Sequence, residues 1–239
     1  GHTVRSIITC PINTVDCKQL IDVSSIANKI NQTFIGNKKF SNLPNKLQMA
    51  ISGCKEGCNL EETPDVNFDA YSYKSNKILF SVKITGEHIG YITPSQVIQT
   101  SKAVANIYKE YGNRTDINKS SFASLVKSWG LKEFNNILNS SINFSLKELI
   151  LEEDNVATKG EHFGINKSTI EGESYIGFKV KSLALNSNDF SSLAKILEKH
   201  DASKIKLTNQ GNIIILDAPT NNADKLANDL KKVNFNPFI

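Results

Sequence analysis

Apolar side chains recur along this chain in two rhythms, and the changes between them divide it into elements. The opening run VRSIITCPI reads as a β-type segment. Residues 18–35 (KQLIDVSSIANKINQTFI) then place Leu20, Ile21, Val23, Ile26, Ala27, Ile30 and Phe34 at helical spacing. NLPNKLQMAISG predicts a second strand entered at Pro44, and KILFSVKITG (77–86) a third with clean alternation. Pro94 after Thr93 fits the first turn of a helix over 95–111, which Gly112 stops. Another helix is expected over 119–129, ending at Gly130, and 131–160 reads as helical and then polar. The stretch EEDNVATKG that closes it is a linker candidate. From about residue 161 the pattern restarts: SYIGFKVKSLAL as a strand, 188–200 as a helix, KIKLTNQGNIIIL as two strands around a tight turn, and 221–233 as a helix capped by Asn.

This order predicts an α+β protein in two parts, over about 3–158 and about 159–239. The β-α-β-β-α order of the second part suits a ferredoxin-like half-domain. At 239 residues both parts can bury a core, and 39% hydrophobic with 22% charged residues excludes disordered and fibrous classes. No apolar run approaches the roughly 20 residues needed to cross a bilayer. The first twenty residues lack a basic head followed by an apolar stretch, so a cytoplasmic (or plastid-stromal) protein without membrane contact is expected. The net charge of +4 is mild, and no basic stripe with interleaved aromatics suggests nucleic acid. The chain starts Gly1-His2 and its only methionine is Met49, which suggests a segment of something longer.

Cys10, Cys17, Cys54 and Cys58 all fall in the first quarter, spaced x6 within the first pair and x3 within the second. Without a secretory signal, metal binding is a stronger reading than disulfides. Zinc favours two to four residues between paired cysteines, which the second pair meets and the first does not. A cube-shaped iron–sulfur cluster tolerates wider spacing and needs thiolates. Gly53 and Gly57, in GCKEGC, would let backbone fold closely around it. Four unrelated buried thiols are the bland alternative.

TCPINTVDCK and SGCKEGC resemble the two cysteine stretches of the cluster-bearing repeat in sirohaem-dependent nitrite and sulfite reductases. VRSIITCPINTVDCKQLIDV, NLPNKLQMAISG and IYKEYGNRTDINKSSFASLVKSWG resemble, in order, segments of that family's first sirohaem repeat. GESYIGFKV and KIKLTNQGNIII resemble its second half-domain, so the likeness covers nearly the whole chain. The resemblance implies a 4Fe-4S cluster on Cys10, Cys17, Cys54 and Cys58, with Cys58 shared with the iron of a sirohaem. It implies multi-electron reduction of nitrite or sulfite, with Arg5, Lys46 and Gln48 at the oxyanion. An amide at 48, where sulfite reductases have a second Lys and nitrite reductases an Asn, leans towards nitrite. Arg114, Lys119, Lys206 (for an expected Arg) and Asn212 stand at positions that face sirohaem, whereas Ile117 and Ser121 replace expected arginines and Gly211 an expected Gln.

The partners so implied are the oxyanion, a ferredoxin-type electron donor, and either further segments of a larger reductase or a second copy in a homodimer. Two other readings are a non-catalytic, cluster-binding or scaffolding relative, and an unrelated α/β protein with a four-cysteine zinc site. His2, His88, His162 and His200 read as surface or hydrogen-bonded histidines. Trp129 and the phenylalanines read as core, and no phosphate-binding Gly loop is present.

Overall fold

The computed structural model describes residues 2–54, 64–74, 77–149, 162–180, 185–208, 211–233 and 235–237. The expected linker and Cys58 lie outside these residues. The chain forms two compact units: Gly1–Thr9 with Leu20–Thr158, and Cys10–Gln19 with Lys159–Ile239.

The first unit runs β1 (His2–Thr3), β2 (Ile8–Thr9), α1 (Ser24–Phe34), β3 (Ser41–Leu43), β4 (Met49–Ser52), β5 (Val66–Tyr73), β6 (Lys77–Ile84) and β7 (Glu87–Ile92). Then follow α2 (Val97–Tyr111), α3 (Phe122–Trp129) and α4 (Leu131–Ser140). Its main sheet has the order β2-β4-β5-β6-β7. The pairs β2–β4 and β4–β5 are parallel, and β5–β6–β7 is an antiparallel meander.

Alternation along β5 sends Val66, Phe68 and Ala70 into one core with Phe80, Val82 and Ile84 of β6. Ile30 and Phe34 of α1, Val104 and Tyr108 of α2, Phe122 of α3 and Phe134 of α4 join the same core. Burying side chains of this size contributes about 1.5–3 kcal/mol each, which holds the helices to the sheet. The other side of β5 and β6 is polar. There the Lys83 ammonium lies 2.9 Å from the Asp69 carboxylate, which also accepts the Asn67 amide at 2.9 Å.

Two expectations change here. The helix expected over 18–35 starts only at Ser24, because earlier backbone donors are engaged elsewhere. Leu20 and Ile21 N–H both donate to the Gly53 carbonyl, at 2.7 and 3.2 Å, and Asp22 accepts the Ser24 N–H at 2.8 Å. NLPNKLQMAISG forms two short strands, β3 and β4, because the chain turns at Pro44 between them. Helix α2 follows a short 3-10 turn that begins at Pro94, and Thr93 N–H donates to Gln96 Oε1 at 2.7 Å.

The second unit contains β8 (Gly164–Lys167), β9 (Glu173–Val180), α5 (Ser187–Lys199), β10 (Ile205–Leu207), β11 (Ile213–Pro219), α6 (Ala223–Lys232) and β12 (Phe235–Asn236). Its sheet has the order β10-β11-β9-β12, and β8 also pairs with β9. Ile176 and Phe178 of β9 and Ile213 and Ile215 of β11 pack with Leu193 and Leu197 of α5 and Leu226 and Leu230 of α6. The β-α-β-β-α order is therefore present, extended by β8 before it and β12 after it. Gly177 is required where it stands, since a Cβ there would collide with the His162 carbonyl. Among the described residues no helix is long and apolar enough to cross a membrane.

Candidate oxyanion and cluster site

The segment before β4 lies beside the N-terminal segment. Val4 and Leu47 form a parallel bridge, with Arg5 N–H donating to the Leu47 carbonyl at 2.9 Å and Leu47 N–H to the Thr3 carbonyl at 3.3 Å. Val4 and Leu47 are both core residues. Strand alternation therefore turns their neighbours Arg5, Lys46 and Gln48 away from the core, to one side of two hydrogen-bonded segments. Arg5 and Lys46 are exposed and Gln48 is half-buried.

Two of them, Lys46 and Gln48, line a cavity of about 210 Å³ with Asn45, Pro64, Asp65, Ser121 and Phe122, whereas Arg5 is not among its lining residues. Ser121 accepts the Ser124 N–H at 3.1 Å and caps α3, so the positive end of that helix starts at the cavity wall. Asp65 lines the cavity as well. Its Oδ2 accepts the Gln48 N–H at 2.8 Å, while its carbonyl accepts the Thr85 N–H at 2.9 Å. Burial pushes the Asp65 carboxyl above its ordinary value, against the Gln48 hydrogen bond and the Lys46 charge, which pull it down. Behind it the Tyr108 hydroxyl donates to the Ser120 carbonyl at 2.6 Å. Burial, aided by the Asp65 charge, pushes that phenol up to about 12. Asp65 carries no motif in the sequence. The available signal was a lone acid directly ahead of the alternating run VNFDAYSY.

The parallel strands β2 and β4 end one residue before Cys10 and two residues before Cys54. Cys10 and Cys54 are both buried, at 3% exposure, and Cys17 is exposed; none of the three is in a disulfide. In the first unit the Ser52 hydroxyl lies 3.5 Å from the Cys54 sulfur. In the second, the Cys17 thiol donates to the Lys167 carbonyl at 3.4 Å, and His162 Nε2 stands 4.0 Å from the Cys10 sulfur. Among the described residues, no three His, Cys, Asp or Glu side chains gather as a metal set.

The residues matched to sirohaem contacts are distributed over both units. In the first, the Arg114 guanidinium donates to the carbonyls of Asn42 and Lys109 at 2.9 and 2.7 Å, and Lys119 lies 3.5 Å from Asp116. Ile117, at an expected arginine, is 84% exposed. In the second, Lys206 is exposed on β10, while buried Asn212 accepts the Val180 N–H at its Oδ1 at 3.3 Å and donates its backbone N–H to Thr208 Oγ1 at 3.0 Å. His200 is buried and hydrogen-bonds Asp229 at 2.9 Å and Asn222 at 2.9 Å. His88, paired with Ser81 at 2.8 Å, has its pKa lowered by burial and by Lys83.

The family description "Nitrite and sulphite reductase 4Fe-4S domain" matches residues 1–145, and "Nitrite/Sulfite reductase ferredoxin-like half domain" matches residues 169–233. Among curated proteins, the chain is 24% identical to the assimilatory ferredoxin-dependent nitrite reductase of Haloferax mediterranei, over 95% of this chain and 43% of that protein. It is 26% identical to the ferredoxin–nitrite reductase of Leptolyngbya laminosa, over 86% of this chain and 43% of that protein. It is 22% identical to a sulfite reductase [ferredoxin] of Mycolicibacterium paratuberculosis, over 97% of this chain and 43% of that one. The chain thus spans less than half the length of these relatives. The solved structure of Mycobacterium tuberculosis NirA protein superposes with a TM-score of 0.86 at 20% identity, covering 100% of this chain and 45% of that chain, which establishes the shared fold. With the first match alone spanning more than half of it, the chain belongs to the nitrite and sulphite reductase family, oxidoreductases whose prosthetic groups are a 4Fe-4S cluster and sirohaem.

Proposed function

We propose that this chain is the 4Fe-4S repeat (about 3–158) and half-domain (about 159–239) of a ferredoxin-dependent nitrite or sulfite reductase, in which Arg5, Lys46 and Gln48 hold the oxyanion. One observation carries this reading. The Val4–Leu47 bridge turns these three side chains to one side of two hydrogen-bonded segments, and Lys46 and Gln48 line a cavity there. Guanidinium and ammonium groups give charge-assisted donors, about twice as strong as neutral ones, and the Gln48 amide adds a neutral donor. Two cations and an amide suit a singly charged anion, which favours nitrite over sulfite.

Cys10, Cys17, Cys54 and Cys58 would hold the cluster, Cys58 being shared with the sirohaem iron. Arg114, Lys119, Lys206 and Asn212 would face the sirohaem carboxylates. The donor set fits in kind: Cys10 and Cys54 are buried thiols, and the hydroxyl beside Cys54 suits a sulfur that carries charge. When bound, these groups supply the electrons; the chain's part is to bind and orient the anion and shield it from water. The donor would be a ferredoxin-type protein, as for the named relatives, and the site would be completed by further segments of a larger reductase or by a second copy. Cytoplasm or plastid stroma is the proposed location.

A second reading is a cluster-binding relative without catalysis. It is favoured by Arg114 and Lys119, whose cationic groups already have protein partners. Anaerobic purification, iron analysis and an absorption spectrum separate the two. Sharp Soret and red bands with iron support the reductase. A brown shoulder alone supports the second reading, and a colourless, iron-free protein overturns both.

A further inference from the structure

The proposed oxyanion cavity has an acid in its wall as well as a cation. Asp65 cannot swing clear of an incoming anion, because Gln48 N–H holds its Oδ2 at 2.8 Å and Thr85 N–H holds its backbone carbonyl at 2.9 Å. Gln48 is itself a lining residue of the cavity, so its backbone ties the acid to the segment that carries the anion-binding amide. Of the described residues lining the cavity, Lys46 is the cation and Asp65 the anion, and the Lys46 side chain is exposed. The titratable group facing Asp65 from α2 is Tyr108, held neutral by a phenol pushed up to about 12, with Arg114 beyond it. Two negative charges in one such site cannot both persist, and the protein carboxylate is the one that can take up a proton.

We propose that Asp65 couples anion binding to proton uptake: an oxyanion entering beside Lys46 is admitted as Asp65 takes one proton from solvent. The new O–H bond forms on the carboxyl, nothing breaks in the anion, and the neutral acid turns from a repelling charge into a hydrogen-bond donor. This rests on the reading of Arg5, Lys46 and Gln48 as the oxyanion site. Burial already pushes the Asp65 carboxyl upward before any anion arrives, which shortens the step the anion must complete.

The test is calorimetric titration of the full chain with nitrite, which stays ionised across neutral pH, in buffers of different ionisation enthalpy. Binding that depends on Lys46 and takes up close to one proton per nitrite is the expected result. Affinity should also fall with rising pH, by up to about tenfold per unit, between the free-state and bound-state ranges of the Asp65 acid, and level off above the latter. Asp65→Asn keeps an acceptor for the Gln48 N–H; it should bind nitrite with no proton uptake and no pH slope. Should that variant not fold, the pH slope of the unaltered chain decides: a flat profile overturns the proposal. Binding that needs Lys46 but takes up no proton overturns this inference alone. No binding, or binding indifferent to Lys46→Ala, overturns the oxyanion site with it.

Discussion

Asp65 in the first unit and Asp229 in the second are the same residue put to opposite uses. Asp229 sits among donors: Lys199 and Lys232 at 2.7 Å each and buried His200 at 2.9 Å. The hydrogen bond from Lys199, then those from Lys232 and His200, hold its carboxyl far below the usual carboxylate range. Asp65 has one backbone donor and one through-space cation, and its desolvation wins. A carboxylate with three donors fastens two helices together. One desolvated beside a cavity, with a single donor, keeps its capacity to change charge.

Substitution should separate the two roles, the largest effect first. Asp229→Ala removes the shared acceptor of two lysines and leaves the buried His200 nitrogen without it, so thermal denaturation should show the larger fall in Tm. Asp65→Ala leaves the Gln48 N–H without its acceptor and should cost about 1–3 kcal/mol in a denaturant melt. The pH dependence should then differ in sign. Asp229 has a depressed folded value, so its contribution is present above the ordinary carboxylate range, about pH 4, and is lost as pH falls below it. Asp65 has a raised folded value, so its contribution is present below about pH 4 and is lost as pH rises through the raised value. Stability curves of Asp229→Asn and Asp65→Asn should each lack one of these opposite slopes. A shared sign would break the comparison. The smallest effect expected is Asp65→Asn at neutral pH, a slight gain in stability, because the amide keeps an acceptor for the Gln48 N–H without a desolvated charge.

Patterning in the sequence was sufficient for the β-α-β-β-α order of the half-domain but not for β8 and β12, which flank it with four and two residues and carry no buried alternation of their own. It overextended α1, since Leu20 and Ile21 fit a helical stripe while their N–H groups are bonded to Gly53, a non-local partner that periodicity does not reveal. It passed over β5, although Val66, Phe68 and Ala70 alternate cleanly with Asn67, Asp69 and Tyr71. Arg5, Lys46 and Gln48 were legible only through resemblance; their shared side follows from the Val4–Leu47 bridge, a pairing of residues far apart in sequence. Asp65 offered only its place ahead of the β5 run, because its character comes from burial and from one backbone donor.

The central claim is that Lys46 and its neighbours form an anion site, and a direct measurement is the nitrite affinity of the full chain against Lys46→Ala at one fixed pH. Loss of a charge-assisted hydrogen bond of about 1.5–3 kcal/mol predicts binding weakened by roughly tenfold or more. Equal affinity in the two proteins would contradict the account.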